Sequence, residues 1–278
     1  MVHNDSETFD IGGELTVHRL GFGAMRITGE DVIGSPDDED EARDVLRRAV
    51  DLGVDFIDTA DSYGPGVSER LIREAGVTDD AVVATKAGLL RNRASDWIPH
   101  GDPDYIKNEA LASLDRLGVD SIDLYQFHRP DPDTDFEDSV HAFAELEDDG
   151  LVDHVGLSNV SVEQLETARD IVDVATVQNA YNVADREHEA VLEACEDYGI
   201  GFIPYFPMGG GDLGGKRSDL EAVADDHDAT VRQVALAWLL EHSPVTLPIP
   251  GTSSVDHLES NVAASGLDLS EDDLARLE

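Results

Sequence analysis

Eight short apolar runs rich in Val and Ile alternate with amphipathic helical segments along this chain, and that alternation constrains the fold more than any other feature. The runs lie near Leu20–Ala24, Val54–Asp58, Ala81–Lys86, Ser121–Phe127, Val152–Leu157, Val174–Gln178, Gly199–Pro204 and Val245–Ile249. Between them, Glu39–Leu52, Asp104–Leu117, Phe136–Asp149, Val162–Asp170, Arg186–Tyr198 and Thr230–His242 carry apolar residues at spacings of three and four, the period of one helix face. Strands separated by helices pair in parallel through right-handed crossovers. Eight such units in 278 residues fit a closed (β/α)8 TIM barrel, one domain over residues 1–278, with its chemistry expected at the C-terminal ends of the strands. An open doubly wound sheet would call for a GxGxxG turn after the first strand, and GFGAMRITG does not supply one. Thr8–Val17, with Gly12 and Gly13 between short apolar stretches, reads as a hairpin capping the barrel floor.

Charge narrows the partners. Asp and Glu number 61 against 19 Lys and Arg, a formal charge of −42 at pH 7. Phosphate neutralisation needs clustered Lys and Arg, so nucleic-acid binding is not expected. A hydrophobic fraction of 41% is enough for a core. No stretch approaches the roughly 18 to 20 apolar residues needed to cross a bilayer, and the polar, acidic opening Met1–Asp10 has no signal-peptide pattern. The lone cysteine, Cys195 in the helical run VLEACEDYG, cannot form an intrachain disulfide. It reads as a buried inert thiol, and a reducing cytoplasm is the expected location.

The residue type at each strand end carries the functional signal. The runs stop at Asp58, Lys86, His128, Ser158 with Asn159, Gln178 and Tyr205. Any one of these has a structural explanation, such as helix capping, but together they form a polar ring around one barrel mouth. Lys86 is the most informative. Lysine occurs only at Lys86, Lys107 and Lys216 against sixteen arginines, yet one ends the apolar run AVVATK. Desolvating an ammonium there costs several kcal/mol unless a partner is present. Asp58, at the end of a neighbouring strand, is the expected partner, and Tyr63 lies five residues beyond it.

The strings FIDTADSYG, ATKAG, LYQFHRPD, GLSN, VQNAYN, IPYFPMGGG and IPGTSS, in this order over almost the whole chain, resemble the aldo-keto reductase superfamily. The resemblance implies a (β/α)8 barrel that reduces carbonyls with a nicotinamide cofactor and without a metal. It places the catalytic residues at Asp58, Tyr63, Lys86 and His128. Tyr63 would donate a proton as negative charge develops on the substrate oxygen, Lys86 would lower the pKa of that phenol, Asp58 would hold Lys86 charged, and His128 would orient the oxygen.

The same resemblance implies cofactor contacts from Ser158, Asn159 and Gln178 to the carboxamide and from Tyr205 to the nicotinamide ring. Pro207, Met208, Gly209, Gly211 and Lys216 would cover the pyrophosphate. Gly251, Thr252, Ser253, Ser254, His257 and Asn261 would hold the adenosine end, Asn261 at adenine. Many relatives that prefer NADPH have Lys and Arg where this chain has Gly251 and His257, so NADPH is expected with NADH possible. Met25, Trp97 and Phe206 are the candidate substrate contacts, for a small aldehyde, ketone or aldose. Two alternatives share the barrel: a cofactor-binding redox sensor resembling potassium-channel β subunits, and a lyase or isomerase using Lys86 as a Schiff-base amine.

The charge balance also predicts a fold that depends on screening of its carboxylates by molar salt. Thermal unfolding followed from dilute buffer into molar KCl should show the midpoint rising steeply with salt. A midpoint that does not move contradicts the expectation.

Overall fold

The computed structural model describes residues 2–207 and 214–278. Strands β1 (Thr8–Ile11) and β2 (Leu15–His18) form an antiparallel hairpin, turning on Gly12 and Gly13 with φ of 61° and 77°, a region open to glycine. Its Ile11 and Val17 are buried against Phe56, Ala84, Leu124, Ile203 and Leu247. The expected hairpin is therefore a plug that fills the lower interior of the molecule.

Seven parallel strands follow: β3 (Phe22–Gly23), β4 (Phe56–Asp58), β5 (Val82–Ala87), β8 (Ile122–Phe127), β9 (Val152–Ser158), β10 (Val174–Ala180) and β11 (Gly201–Tyr205), hydrogen-bonded in that order. A second antiparallel hairpin, β6 (Leu89–Arg91) with β7 (Trp97–Pro99), stands after β5.

The eighth run, Val245–Ile249, closes the barrel together with Pro250 and without a continuous ladder. On one side Phe202 N–H donates to Val245 O at 2.8 Å and Leu247 N–H to Phe202 O at 2.7 Å; on the other, Gly21 N–H donates to Pro248 O at 3.0 Å and Gly23 N–H to Pro250 O at 3.5 Å. Pro248 and Pro250 have no N–H to return, so this segment meets β3 only as an acceptor. The approach is close: a Cβ on Gly23 would lie 2.6 Å from Ile249 O, and one on Gly251 would lie 2.8 Å from Gly23 O.

The helices α1 (Glu39–Asp51), α2 (Val67–Ala75), α3 (Pro103–Leu117), α4 (Phe136–Asp148), α5 (Val162–Arg169), α6 (Glu189–Tyr198), α7 (Arg217–Asp226), α8 (Val231–His242), α9 (Val255–Val262) and α10 (Glu271–Leu277) complete the fold. The starts of α1, α3, α4, α5, α8 and α10 are fixed by side-chain oxygens that satisfy otherwise orphaned N–H groups. Asp38 accepts from Glu41 N–H, Asp102 from Tyr105 N–H just before Pro103, and Ser161 with Gln164 and Thr230 with Gln233 form reciprocal capping boxes. Helix α6 begins later than its periodicity suggests, because Asn182 and Asp185 capture the N–H groups of Ala184 and Glu187 in a preceding turn. Cys195 is fully buried on α6, and burial pushes its thiol up to about 12, which suits the inert role expected for it. No helix among the described residues is long and apolar enough to cross a membrane.

Replacing Gly23 by Ala would force apart the backbones that close the barrel. We expect Gly23→Ala to destabilise the fold by about 2–4 kcal/mol, read by urea unfolding. An unchanged midpoint contradicts the closure described here.

Candidate active site

The barrel delivers its polar ring through the two-residue period of a strand. In β8, Tyr125 and Phe127 pack outward with Phe143 of α4, while Leu124 joins the interior cluster. Gln126, two residues on, therefore faces the interior too, and His128 follows at the rim. In β4 and β5, Phe56 and Ala84 lie in that cluster, which puts Asp58 and Lys86 one step higher on the same face.

Lys86 is 0% exposed and Asp58 is 2% exposed. The ammonium donates to Asp58 Oδ1 at 2.6 Å and to the carbonyl of Thr59 at 2.7 Å. Asp58 Oδ2 accepts from Gln178 Nε2 at 2.8 Å and from Gln126 Nε2 at 3.0 Å. Lys86 Nζ stands 5.3 Å from the centre of the Tyr63 ring. The Tyr63 and His128 rings meet edge to face with centres 5.9 Å apart. Asp58, Tyr63, Lys86 and His128 are thus brought together, from four points of the sequence, at the C-terminal ends of β4, β5 and β8.

Burial governs the protonation of this cluster. It pulls the Lys86 ammonium below its ordinary value against the opposing pull of Asp58. It pushes His128 well below the usual histidine range, aided by the charges of Lys86, Arg129 and Arg91, so the imidazole is neutral. The Ser62 hydroxyl lies 3.4 Å from His128 Nδ1. One expectation is corrected: Tyr63 is pushed well above the ordinary phenol, first by burial and then by Asp58 and Asp61. The charge of Lys86 is already engaged by Asp58, and burial, the largest cause, favours the protonated phenol.

The residues proposed for the cofactor occupy the adjoining side of the mouth. Asn159, with φ of 60°, donates through Nδ2 to His128 O at 3.0 Å and to Ser158 Oγ at 2.9 Å, and it accepts the Tyr205 hydroxyl at 2.7 Å. Thr252 Oγ1 accepts from Ser254 N–H at 3.1 Å. The N-terminus of α9 has no side-chain cap, which leaves its first N–H groups available to an anion. Asn261 is buried on α9 with both polar side-chain atoms unpartnered among the described residues, an arrangement that suits a ligand able both to donate and to accept. Gly251, Ser253 and His257 are exposed around it. Pro207 and Lys216 flank a segment in which Met208, Gly209 and Gly211 lie outside the described residues.

Trp97 of β7 reaches the cluster, its ring centre 6.2 Å from that of Tyr63 and 6.5 Å from that of His128. Arg91 Cζ lies over the Trp97 ring, 3.5 Å from its centre, and the guanidinium donates to the carbonyls of Asp31 and Val32. Met25 follows β3 in a short helical turn at the same end. Phe206 is 51% exposed and its ring packs on Tyr205 rather than on Tyr63, His128 or Trp97. Sequence reasoning missed Gln126, Ser62 and the buried Asp61, which accepts the Tyr105 hydroxyl at 2.9 Å. The signal for Gln126 was present, as a lone polar residue two positions before His128 in an apolar run.

Comparison with known proteins identifies the family. The sequence profile of the Aldo/keto reductase family matches residues 19–278. An uncharacterized oxidoreductase of Schizosaccharomyces pombe is 46% identical over 267 residues, covering 96% of this chain and 87% of that protein. The pyridoxine 4-dehydrogenase of Escherichia coli is 43% identical over 282 residues, covering 98% of both chains. The crystal structure of an aldo/keto reductase from Klebsiella pneumoniae in complex with NADP and acetate superposes with a TM-score of 0.83 at 27% identity, over 98% of this chain and 94% of that one. The chain belongs to the aldo/keto reductase family.

The charge states set a pH profile. His128, lowered from 6.5, stays neutral through the ordinary histidine range, while Lys86, lowered from 10.5, loses its charge earlier than an ordinary lysine as pH rises. Turnover should therefore be flat around pH 6.5 and fall on the alkaline side before 10.5. An acid limb centred at 6.5 contradicts a neutral His128.

Proposed function

We propose that this aldo/keto reductase reduces small aldehydes or ketones to alcohols with NADPH, or runs the reverse oxidation, with Tyr63 as the proton donor in the reducing direction. The observation that carries the reading is the fully buried Lys86 ammonium, held by Asp58 and standing 5.3 Å from the centre of the Tyr63 ring with His128 at its edge.

A reduced nicotinamide supplies the hydride when bound, and the rest of the chemistry falls to the side chains. Tyr63 keeps its proton at rest because burial and the neighbouring carboxyl groups hold it there, and it gives it up only as negative charge grows on the substrate oxygen. Lys86 then faces a forming phenolate, and a positive charge fixed in a dry site stabilises that charge without reorganising. Neutral His128, with Ser62 against Nδ1, can present an Nε2 proton to the same oxygen. Trp97 walls the site beside both rings and shields it from water.

For the cofactor, Ser158, Asn159 and Gln178 would hold the carboxamide and Tyr205 the ring. Pro207 and Lys216, with Met208, Gly209 and Gly211 between them, would cover the pyrophosphate. Gly251, Thr252, Ser253, Ser254 and His257 would take the adenosine phosphate, and the unpartnered Asn261 amide suits adenine. A side chain at position 251 would bring a Cβ to 2.8 Å from Gly23 O, so a basic residue there would require the backbone to shift. Recognition of the 2′-phosphate then rests on hydroxyls, backbone amides and His257, which leaves room for NADH. Met25 and Trp97 are proposed to contact substrate. The lone buried thiol and carboxylate-rich surface suit a reducing, salt-rich cytoplasm.

The test is NADPH consumption against a panel of carbonyls in molar KCl, with pyridoxal included because the Escherichia coli relative is named a pyridoxine 4-dehydrogenase. Tyr63→Phe should lower turnover by about a thousandfold or more while leaving NADPH affinity, read by fluorescence quenching, within about twofold. Near-normal turnover by that variant would overturn the assignment.

A further inference from the structure

We propose that Gln126 is a positioning residue for Asp58, and that residue 156 is glycine in order to seat it. The proposal rests on the reading of Asp58 and Lys86 above and concerns how that pair is held. Asp58 Oδ1 is taken by Lys86 Nζ, and Oδ2 is taken by the two glutamines. A carboxylate only accepts, so both glutamines must present their NH2 ends to it. With three donors on two oxygens the carboxylate cannot turn about its own axis, and the Lys86 ammonium is aimed by it. Of the three ammonium protons, two are committed to Asp58 Oδ1 and the Thr59 carbonyl, leaving one to meet the phenol.

Gln178 and Gln126 differ in what remains. Gln178 lies near the C-terminal end of β10, where its free carbonyl oxygen can meet a ligand. Gln126 is 0% exposed, and its Oε1 is buried without a partner among the described residues. A buried amide left half-satisfied costs stability, so the benefit of this residue lies at its other end, the bond to Asp58.

Gly156 makes the room. In the sheet register Gln126 stands beside Lys86 on one side and Gly156 on the other, and Gly156 in turn stands beside Thr176. A Cβ on residue 156 would lie 2.8 Å from Gln126 Cγ and closer still to Thr176 Oγ1. Gly156 is not among the glycines with positive φ, so its backbone would admit any residue and only space requires glycine. The charged groups facing position 126 are Asp58 from β4 and Lys86 from β5, while Gly156, Thr176 and Gln178 bring no charge from β9 and β10.

Three variants test this: Gln126→Leu, Gln126→Glu and Gly156→Ala, each measured for turnover across pH and for NADPH affinity by fluorescence quenching. Gln126→Leu should lower kcat about tenfold or more with affinity within about twofold, and Gly156→Ala should do the same from a residue that touches no reacting atom. Gln126→Glu places a carboxyl against Asp58, and two carboxyls at that spacing retain a proton. While protonated, the new group donates to Asp58 as the amide does. Its activity should therefore approach that of the native chain near about pH 6 and fall away toward about pH 9, a pH dependence that a purely structural role would not produce. Native kcat in Gln126→Leu, or a native pH profile in Gln126→Glu, overturns the proposal. Should the leucine variant fail to fold, the glutamate variant decides alone, since its profile is read within one protein. Failure of the underlying reading looks different: Tyr63→Phe would then keep its turnover, whereas failure of this inference leaves Tyr63→Phe inactive and Gln126→Leu normal.

Discussion

The buried ion pair between Lys86 and Asp58 sets what the rest of the molecule must do. An ammonium that is 0% exposed survives only beside a carboxylate, and removing one partner from such a pair costs about 3–5 kcal/mol because the other is left uncompensated. A hydrophobic pair of the same volume would be at least as stable, so stability does not account for the charges. Their surroundings point to the phenol instead: Thr59 holds the ammonium from its backbone, Gln126 and Gln178 hold the carboxylate, and Tyr63 covers the pair.

The barrel supplies that arrangement through register. Because alternate residues of each strand face the interior, the plug residues Ile11 and Val17 and the apolar layer of Phe56, Ala84, Leu124, Ile203 and Leu247 fill the lower half, and the next inward positions carry polar groups. The mouth is then tied by bonds that cross between strands and loops. Asn159 joins the His128 carbonyl to the Tyr205 hydroxyl. Arg91 gathers the carbonyls of Asp31 and Val32 while its guanidinium carbon lies over the Trp97 ring. Asp31 and Val32 both have positive φ, unusual for a β-branched residue and a form of strain that clusters near functional sites.

Much of this was legible in the sequence, and the limits have physical causes. Seven of the eight apolar runs form hydrogen-bonded parallel strands, because parallel sheets buried on both faces write themselves as continuous Val and Ile runs. The run at Val245–Ile249 also lies where the alternation put it, but Pro248 and Pro250 cannot donate, so it closes the barrel through a few bonds that run one way on the β3 side. The polar strand ends converge as the alternation required. The β6–β7 hairpin was not visible, because its pairing depends on Arg91 and Trp97 meeting across a loop. Gln126 was passed over because it stands inside a strand rather than at its end. The upward shift of the Tyr63 phenol was not legible either. It arises first from burial and then from Asp58 and Asp61, and the burial depends on how the chain packs.

The central claim is that Asp58 and Lys86 act as one unit on the phenol. A double-mutant cycle on kcat/KM with Asp58→Asn, Lys86→Met and the pair together tests it most directly. Residues that act as a unit are strongly non-additive, so the double variant should be no slower than the slower single one. Losses that multiply would mean the two side chains act independently, and would contradict this account.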